Sequence, residues 1–251
     1  MTKALYQIRL LGLFVLLLKA MPLKAQHNPY VDDKLVHFGF SLGIDILSYG
    51  VEEADSLLQM ERHGTIYHAR TSTPGMGFAV GFIADLRLAR YLNLRFCPGM
   101  HFGERTITYK NDDIPESEIK GLVGTNNRPS VLCLPIDIPL YLKWSSEREV
   151  NWRPYVTAGG GVSFDLGRSK DKVLLQKTMD YFVEVGMGCD LYFPWFKLAP
   201  EIRYRIGFNN MLTPTSDSQK EEWPLSAEDY FYTDALSRLT NQQISLIFNF
   251  E

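Results

Sequence analysis

Long apolar runs are missing from this chain of 251 residues. No stretch reaches the roughly eighteen consecutive apolar residues that a membrane-crossing helix needs, which argues against a helical anchor. Cysteine is scarce as well. Cys97, Cys133 and Cys189 are an odd number without metal-ligand spacing, so a complete disulfide framework is excluded and the thiols read as small buried side chains. An excess of positive charge is also absent: the formal net charge is −3, which speaks against nucleic acid as a partner. The chain contains neither a nucleophile elbow nor a metalloprotease helix motif. Ala158-Gly159-Gly160-Gly161 is only superficially a phosphate loop, because no Lys-Ser/Thr follows and no helix opens there; a strand kink is the expectation. Neither a cofactor nor a metal is expected.

What the chain does contain begins with an export signature. Lys3 and Arg9 precede the apolar stretch Leu10 to Leu18, and a polar-to-small region follows, ending Pro22-Leu23-Lys24-Ala25-Gln26. This layout predicts a signal peptide over residues 1–25 and a mature domain over 26–251. Leu23 is bulkier than the usual residue at that distance from a cut. Removing residues 1–25 takes away Lys3, Arg9, Lys19 and Lys24 and no acid, so the charge moves from −3 to −7. No cysteine lies at the cleavage point, so a lipoprotein is not expected.

Beyond residue 33 the dominant pattern is alternation with period two, the mark of strands with unlike faces. Between Val36 and Ile46 one face carries Val36, Phe38, Phe40, Leu42, Ile44 and Ile46, and the other His37, Gly39, Ser41, Gly43 and Asp45. The same split recurs over 76–88, 92–102, 132–144, 153–166, 180–193, 196–208 and 236–250. Eight strands are therefore predicted. A soluble sandwich would turn a Lys-, Glu- and Thr-rich face to water, but here the polar positions are dominated by Gly, Ser, Asp and a few Arg. Small side chains and paired charges suit a cramped lumen, and about ten tilted residues match the apolar band of an outer-membrane barrel.

The connections alternate in length: long (47–75), short (87–91), long (103–130), short (145–152), moderate (167–179), very short (194–195) and long (209–235). Barrels of the outer membrane have short periplasmic turns and longer outer loops, with both chain ends on the periplasmic side. The expected fold is thus an all-β, eight-stranded antiparallel transmembrane up-and-down barrel with periplasmic termini. Trp144, Trp152 and Trp195 fall beside the short turns with Tyr91 and Tyr192, and together they predict a periplasmic aromatic girdle. Tyr109, Tyr181 and Phe208 would mark the outer rim. A short amphipathic helix is expected over Glu52 to Arg62.

Asp45, Asp85, Arg87, Arg95, Asp137, Lys143, Glu184, Asp190, Glu201, Arg203 and Arg205 all share the inward parity. They could form a catalytic or conducting interior. An eight-stranded barrel, however, is only wide enough for its own side chains, so a neutralised structural plug is the stronger expectation. His63, His68 and His101, with Ser72 or an acid, are the candidates for a hydrolase site, but no acid–base pair stands at a defined spacing and loop histidines are normally solvated. An enzyme is not expected.

Leu134-Pro135-Ile136-Asp137-Ile138-Pro139-Leu140-Tyr141-Leu142-Lys143-Trp144, followed by Arg153-Pro154-Tyr155-Val156, resembles the hairpin of small outer-membrane barrels of Bacteroidota. Lys34-Leu35-Val36-His37-Phe38-Gly39-Phe40-Ser41-Leu42-Gly43 and Pro200-Glu201-Ile202-Arg203-Tyr204-Arg205-Ile206-Gly207 resemble the first strand and a late strand of the PorT family of the type IX (Por) secretion machinery. The resemblance covers essentially the mature chain. It implies a non-enzymatic role in exporting proteins that bear a C-terminal secretion signal, such as cysteine proteinases. It also implies, as partners, outer-membrane lipid, other secretion subunits and, during insertion, the barrel-assembly machinery. The family supplies no catalytic residue to carry over. Outer-membrane barrels often end on an aromatic, whereas here Phe250 is followed by Glu251. Two other readings stand beside it: an adhesin-like or structural barrel that displays binding loops, and a small outer-membrane hydrolase or acyltransferase.

Overall fold

The computed structural model describes residues 34–55, 67–70, 74–111, 130–167, 176–212 and 235–251. The signal expected over 1–25, residues 56–62 of the expected helix, His63 and Ser72 lie outside the described residues.

In chain order the strand segments are β1 (Val36–Glu53), β2 (Tyr67–Arg70), β3 (Gly75–Arg87), β4 (Leu92–Phe96), β5 (Gly99–Thr106), β6 (Thr108–Asn111), β7 (Ser130–Cys133), β8 (Pro135–Ser145), β9 (Trp152–Asp165), β10 (Met179–Tyr192), β11 (Lys197–Gly207) and β12 (Leu236–Phe250). All but β2 and β6 join one antiparallel sheet, and it closes because β1 pairs with both β12 and β3. Closure joins the two edges that an open sheet would expose, the condition for a β-structure inside a bilayer.

These ten segments make eight barrel strands. β4 and β5 are one strand, since their register on β3 runs on from Ala84↔Phe96 to Gly81↔Gly99. The gap falls at Pro98, which has no N–H to donate but still accepts from Phe82 N at 2.9 Å. β7 and β8 are likewise one strand on β5, pairing Cys133 with Gly103 and Asp137 with Gly99. At their junction Leu134 N donates to Asp165 Oδ1 instead of a ladder carbonyl, at 2.9 Å.

Alternation sorts the side chains as the period-two pattern requires. Phe38, Phe82, Ile138, Val185, Ile202 and Ile244 lie exposed on the outer wall, while Asp45, Asp85, Asp137, Glu184, Glu201 and Arg203 are buried inside. The glycine run, where a kink is expected, instead stays in unbroken register with both neighbours and lets them approach closely. A Cβ on Gly159 would lie 2.2 Å from Leu140 O, and one on Gly161 2.5 Å from Ile138 O, so only glycine lets the strands approach this closely.

At one end lie the starts of β1, the end of β12 and three short turns. The turn after β3 is closed by Leu92 N donating to Ala89 O at 3.3 Å, and the one after β10 by Phe193 N donating to Phe196 O at 3.0 Å. The turn between β8 and β9 holds Val150 at a φ of 47°, where a β-branched residue is strained.

The loop end differs from the sequence-based expectation in three ways. β1 continues to Glu53 instead of yielding to a loop after Ile46, pairing with β12 as far as Glu53↔Leu236. Glu52 and Glu53 are therefore strand residues rather than the start of a helix, and Glu52 Oε1 lies 3.5 Å from Arg238 Nη1. Second, β2 pairs with β6, so the first two long connections form a small sheet of their own. Third, Tyr109 is not an outer-rim residue. It is fully buried in an apolar cluster with Tyr49, Ala69, Ile107, Cys133, Met211 and Leu239. Continuing strands and apolar side chains from separate connections bury one another here, which local periodicity could not reveal.

Candidate functional site

The inward face of the barrel is the candidate site, and it is built in layers. Near the short turns Arg95 of β4, wholly buried, is the hub. Its Nε donates to Asp85 Oδ2 at 2.9 Å and its Nη2 to Glu251 Oε1 at 2.6 Å, while Nη1 lies 3.5 Å from Glu201 Oε2. Lys197 Nζ stands 2.5 Å from the other oxygen of Glu251. Across the same layer Lys143 Nζ straddles Asp190, at 2.8 and 2.7 Å from its two oxygens, and lies 4.0 Å from the centre of the Tyr155 ring.

The next layer is organised by Glu201. It accepts from Arg203 Nε at 2.7 Å and Nη2 at 3.1 Å, Thr157 Oγ1 at 2.7 Å, Tyr155 Oη at 3.0 Å and Asn249 Nδ2 at 3.0 Å. A carboxylate buried in a barrel is tolerable only when its lone pairs are filled in this way. Above it Arg205 bridges Glu184 and Asp137, and Tyr141 donates to Glu184.

His101 of β5 closes the middle of the lumen. Its Nδ1 lies 2.7 Å from Asp45 Oδ2 and its Nε2 2.9 Å from Asp137 Oδ2. Both contacts are hydrogen bonds only when both ring nitrogens carry hydrogen. Toward the loop end Arg105 Nη1 donates to Cys133 Sγ at 3.4 Å, Gln176 Nε2 donates to Tyr49 Oη at 2.6 Å, and Asn241 Nδ2 donates to Asp180 Oδ2 at 2.7 Å. A cavity of about 10 Å³ beside Arg105, Asp180 and Arg205 has room for about one water. The apolar cluster around Tyr49 and Tyr109 lies beyond it.

Of the charges expected inside, Asp45, Asp85, Arg95, Asp137, Lys143, Glu184, Asp190, Glu201, Arg203 and Arg205 are buried in this network. Arg87 is half-buried at the turn end. Parity could have found Lys197 and Asp180. Arg105 falls in what reads as a loop, and Glu251 follows the last apolar alternation, so neither carries a periodic signal. His101 is a lumen residue, not a loop histidine, while His68 sits on β2 with its Nδ1 3.1 Å from Glu53 Oε2. Among the described residues no group of three metal-ligating side chains is placed to hold a metal ion.

The aromatic positions divide. Trp144, Trp152 and Trp195 are exposed at the turn end, Trp195 at 93%. Tyr91 donates to Glu147 Oε1 at 2.8 Å, and that hydrogen bond to a carboxylate holds the phenol above its usual range. Tyr192 departs from the girdle: it is buried on the inward parity of β10, under Arg148 at 3.7 Å. At the other end Tyr181 and Phe208 are exposed on the outer wall.

Residues 24–213 match the family described as outer membrane protein beta-barrel domain. No curated protein sequence matches the chain. Among solved structures the chain is similar to Neisserial surface protein A, at 12% identity and a TM-score of 0.41, over 86% of this chain and 98% of that one.

Proposed function

Because the chain belongs to the family of outer membrane protein beta-barrel domains, we propose that it is a non-enzymatic barrel of the type IX secretion machinery, needed to export proteins that carry a C-terminal secretion signal. The observation that carries this reading is the filled lumen. Arg95, Lys143 and Gln243 are all at most 1% exposed between the walls, so the protein acts through its outer surfaces and not as a conduit. A secretion accessory needs surfaces for other subunits and no pore of its own. The likeness of Lys34–Gly43 and of Pro200–Gly207 to PorT strands supports the narrower role. Both chain ends and the short turns face the periplasm in this reading, and the barrel-assembly machinery inserts the chain.

Deleting the gene tests it. Simultaneous loss of many proteins with C-terminal secretion signals from the culture medium is the expected result. Loss of adhesion alone would assign the protein to loop display, and altered lipid A or surface proteins with normal secretion would assign it to an enzyme.

A further inference from the structure

Imidazole is the side chain whose charge changes near neutral pH, and His101 holds one inside the lumen, only 8% exposed. β5 carries it between two carboxylates. Its Nε2 meets Asp137 of β8 at 2.9 Å, and its Nδ1 meets Asp45 of β1 at 2.7 Å. β3 runs between β1 and β5, yet it offers only Gly77 opposite Asp45 and Ala79 opposite His101, so the two side chains meet over it. Arg205 of β11 shares Asp137 with the ring, and Glu184 of β10 lies on the far side of Arg205. β12 contributes two neutral groups, Gln243 and Ser245.

Nδ1 has a second partner already in place. Gln243 Nε2 lies 3.2 Å from that nitrogen and 2.9 Å from Ser245 Oγ. A protonated Nδ1 donates to Asp45 and leaves Gln243 Nε2 to Ser245. A bare Nδ1 instead accepts from Gln243 Nε2 and turns a lone pair toward Asp45, whose Oδ1 also has no hydrogen-bond partner. Asp45 is then a buried carboxylate without its donor, a costly state. Charge balance points the same way. Among the described residues, seven buried carboxylates and that of Glu251 face six buried Lys and Arg side chains, so the lumen is short of cations unless the ring is charged.

We propose that His101 is a pH-operated latch: charged, it pins β5 to Asp45 of β1, and neutral, it gives its Nδ1 to Gln243 of β12 and releases Asp45. The latch is closed in acid and opens as the pH rises, because only the charged ring ties both carboxylates. Nuclear magnetic resonance of the full chain in micelles, with nitrogen-15 in its histidine rings, provides the test, and His101→Gln identifies the signal. At a pH of about 7.5, where a solvated imidazole with its ordinary pKa of about 6.5 is mostly neutral, both His101 nitrogens should still carry hydrogen. As the pH is raised further, Nδ1 alone should lose its hydrogen. Exchange of the β1 backbone amides around Asp45 should then rise several-fold beyond the chemical rate. Asp45→Asn removes the carboxylate that favours the charged ring and should move the transition to lower pH. Gln243→Leu removes the donor that favours the neutral ring and should move it to higher pH. A ring already neutral at about pH 7.5 would overturn the proposal, as would loss of hydrogen from Nε2 first or a transition that neither substitution moves.

Discussion

Arg95 and Glu251 lie 156 positions apart in sequence, yet the guanidinium of one donates to the carboxylate of the other at 2.6 Å inside the barrel. The contact ties the third barrel strand to the residue after the last. Both side chains are at most 1% exposed, so neither charge can be rescued by water. Glu251→Ala leaves Arg95 one carboxylate short and Lys197 without its 2.5 Å partner. Breaking a buried pair from one side is expected to cost about 3–5 kcal/mol. Urea unfolding of the refolded barrel in micelles measures it, and a change below about 1 kcal/mol would show the mouth to be hydrated.

Lys143 and Asp190 allow the complementary test. Both are about 2% exposed, and the ammonium touches both carboxylate oxygens. Lys143→Met alone strands a buried carboxylate and is expected to destabilise by roughly 3–5 kcal/mol, whereas Lys143→Met with Asp190→Leu should return close to the wild-type value. The same unfolding assay reads both. A double variant as unstable as the single one would mean that the pair fixes the geometry of the layer rather than neutralising it.

The strand count was legible because each strand has two unlike solvents, and that condition imposes period two on the sequence itself. Where a strand leaves those solvents, the code lapses. Beyond Ile46, β1 carries Leu47 and Tyr49 inward, both nearly inaccessible, while Ser48, Gly50 and Glu52 take the other parity, so the apolar face changes sides and the strand reads as its own end. The pairing of β2 with β6 and the burial of Tyr109 depend on contacts between separate connections, which no local window contains. Parity also identified which charges face inward but not how they combine. Thr157, Tyr155 and Asn249, which complete the shell of Glu201, are unremarkable in sequence. Tyr192 lies inside because its parity, shared with Asp190, decides its face despite its place beside a turn.

Position along a strand should set the cost of placing a charge on the outer wall. Ile138 lies near the middle of the continuous strand formed by β7 and β8, and Ile44 lies midway along the part of β1 that pairs on both sides. Phe40 is closer to the turn end, stacked 4.9 Å from Phe250. Ile138→Arg and Ile44→Arg are expected to cost about 2–4 kcal/mol in a bilayer, and Phe40→Arg less, since the penalty falls toward the interface. Ser41→Ala, on the inward face, should change little. Folding titrations in phospholipid vesicles read all four, and equal tolerance on both faces would invert the assignment of the walls.

The filled lumen predicts electrical silence. Arg203 stacks 4.6 Å from the Tyr141 ring and Arg205 3.8 Å from the Phe182 ring, so cations and rings from β8, β10 and β11 meet across the interior. An ion crossing from the turns would have to part the Arg95–Glu251 contact, the Glu201 shell and the His101 bridge in succession, each made of buried opposite charges. Beyond them it would meet the apolar cluster around Tyr49 and Tyr109. Eight strands enclose only enough space for side chains to fill, so widening the path requires moving the wall itself. The purified protein in a planar bilayer should therefore show no steady unitary current at 100 mV, a test voltage that moves one charge with about 2.3 kcal/mol. Reproducible unitary steps that survive dilution of the protein would show that the charged layers part in the membrane, and the proposal that this barrel acts only through its surfaces would then fail.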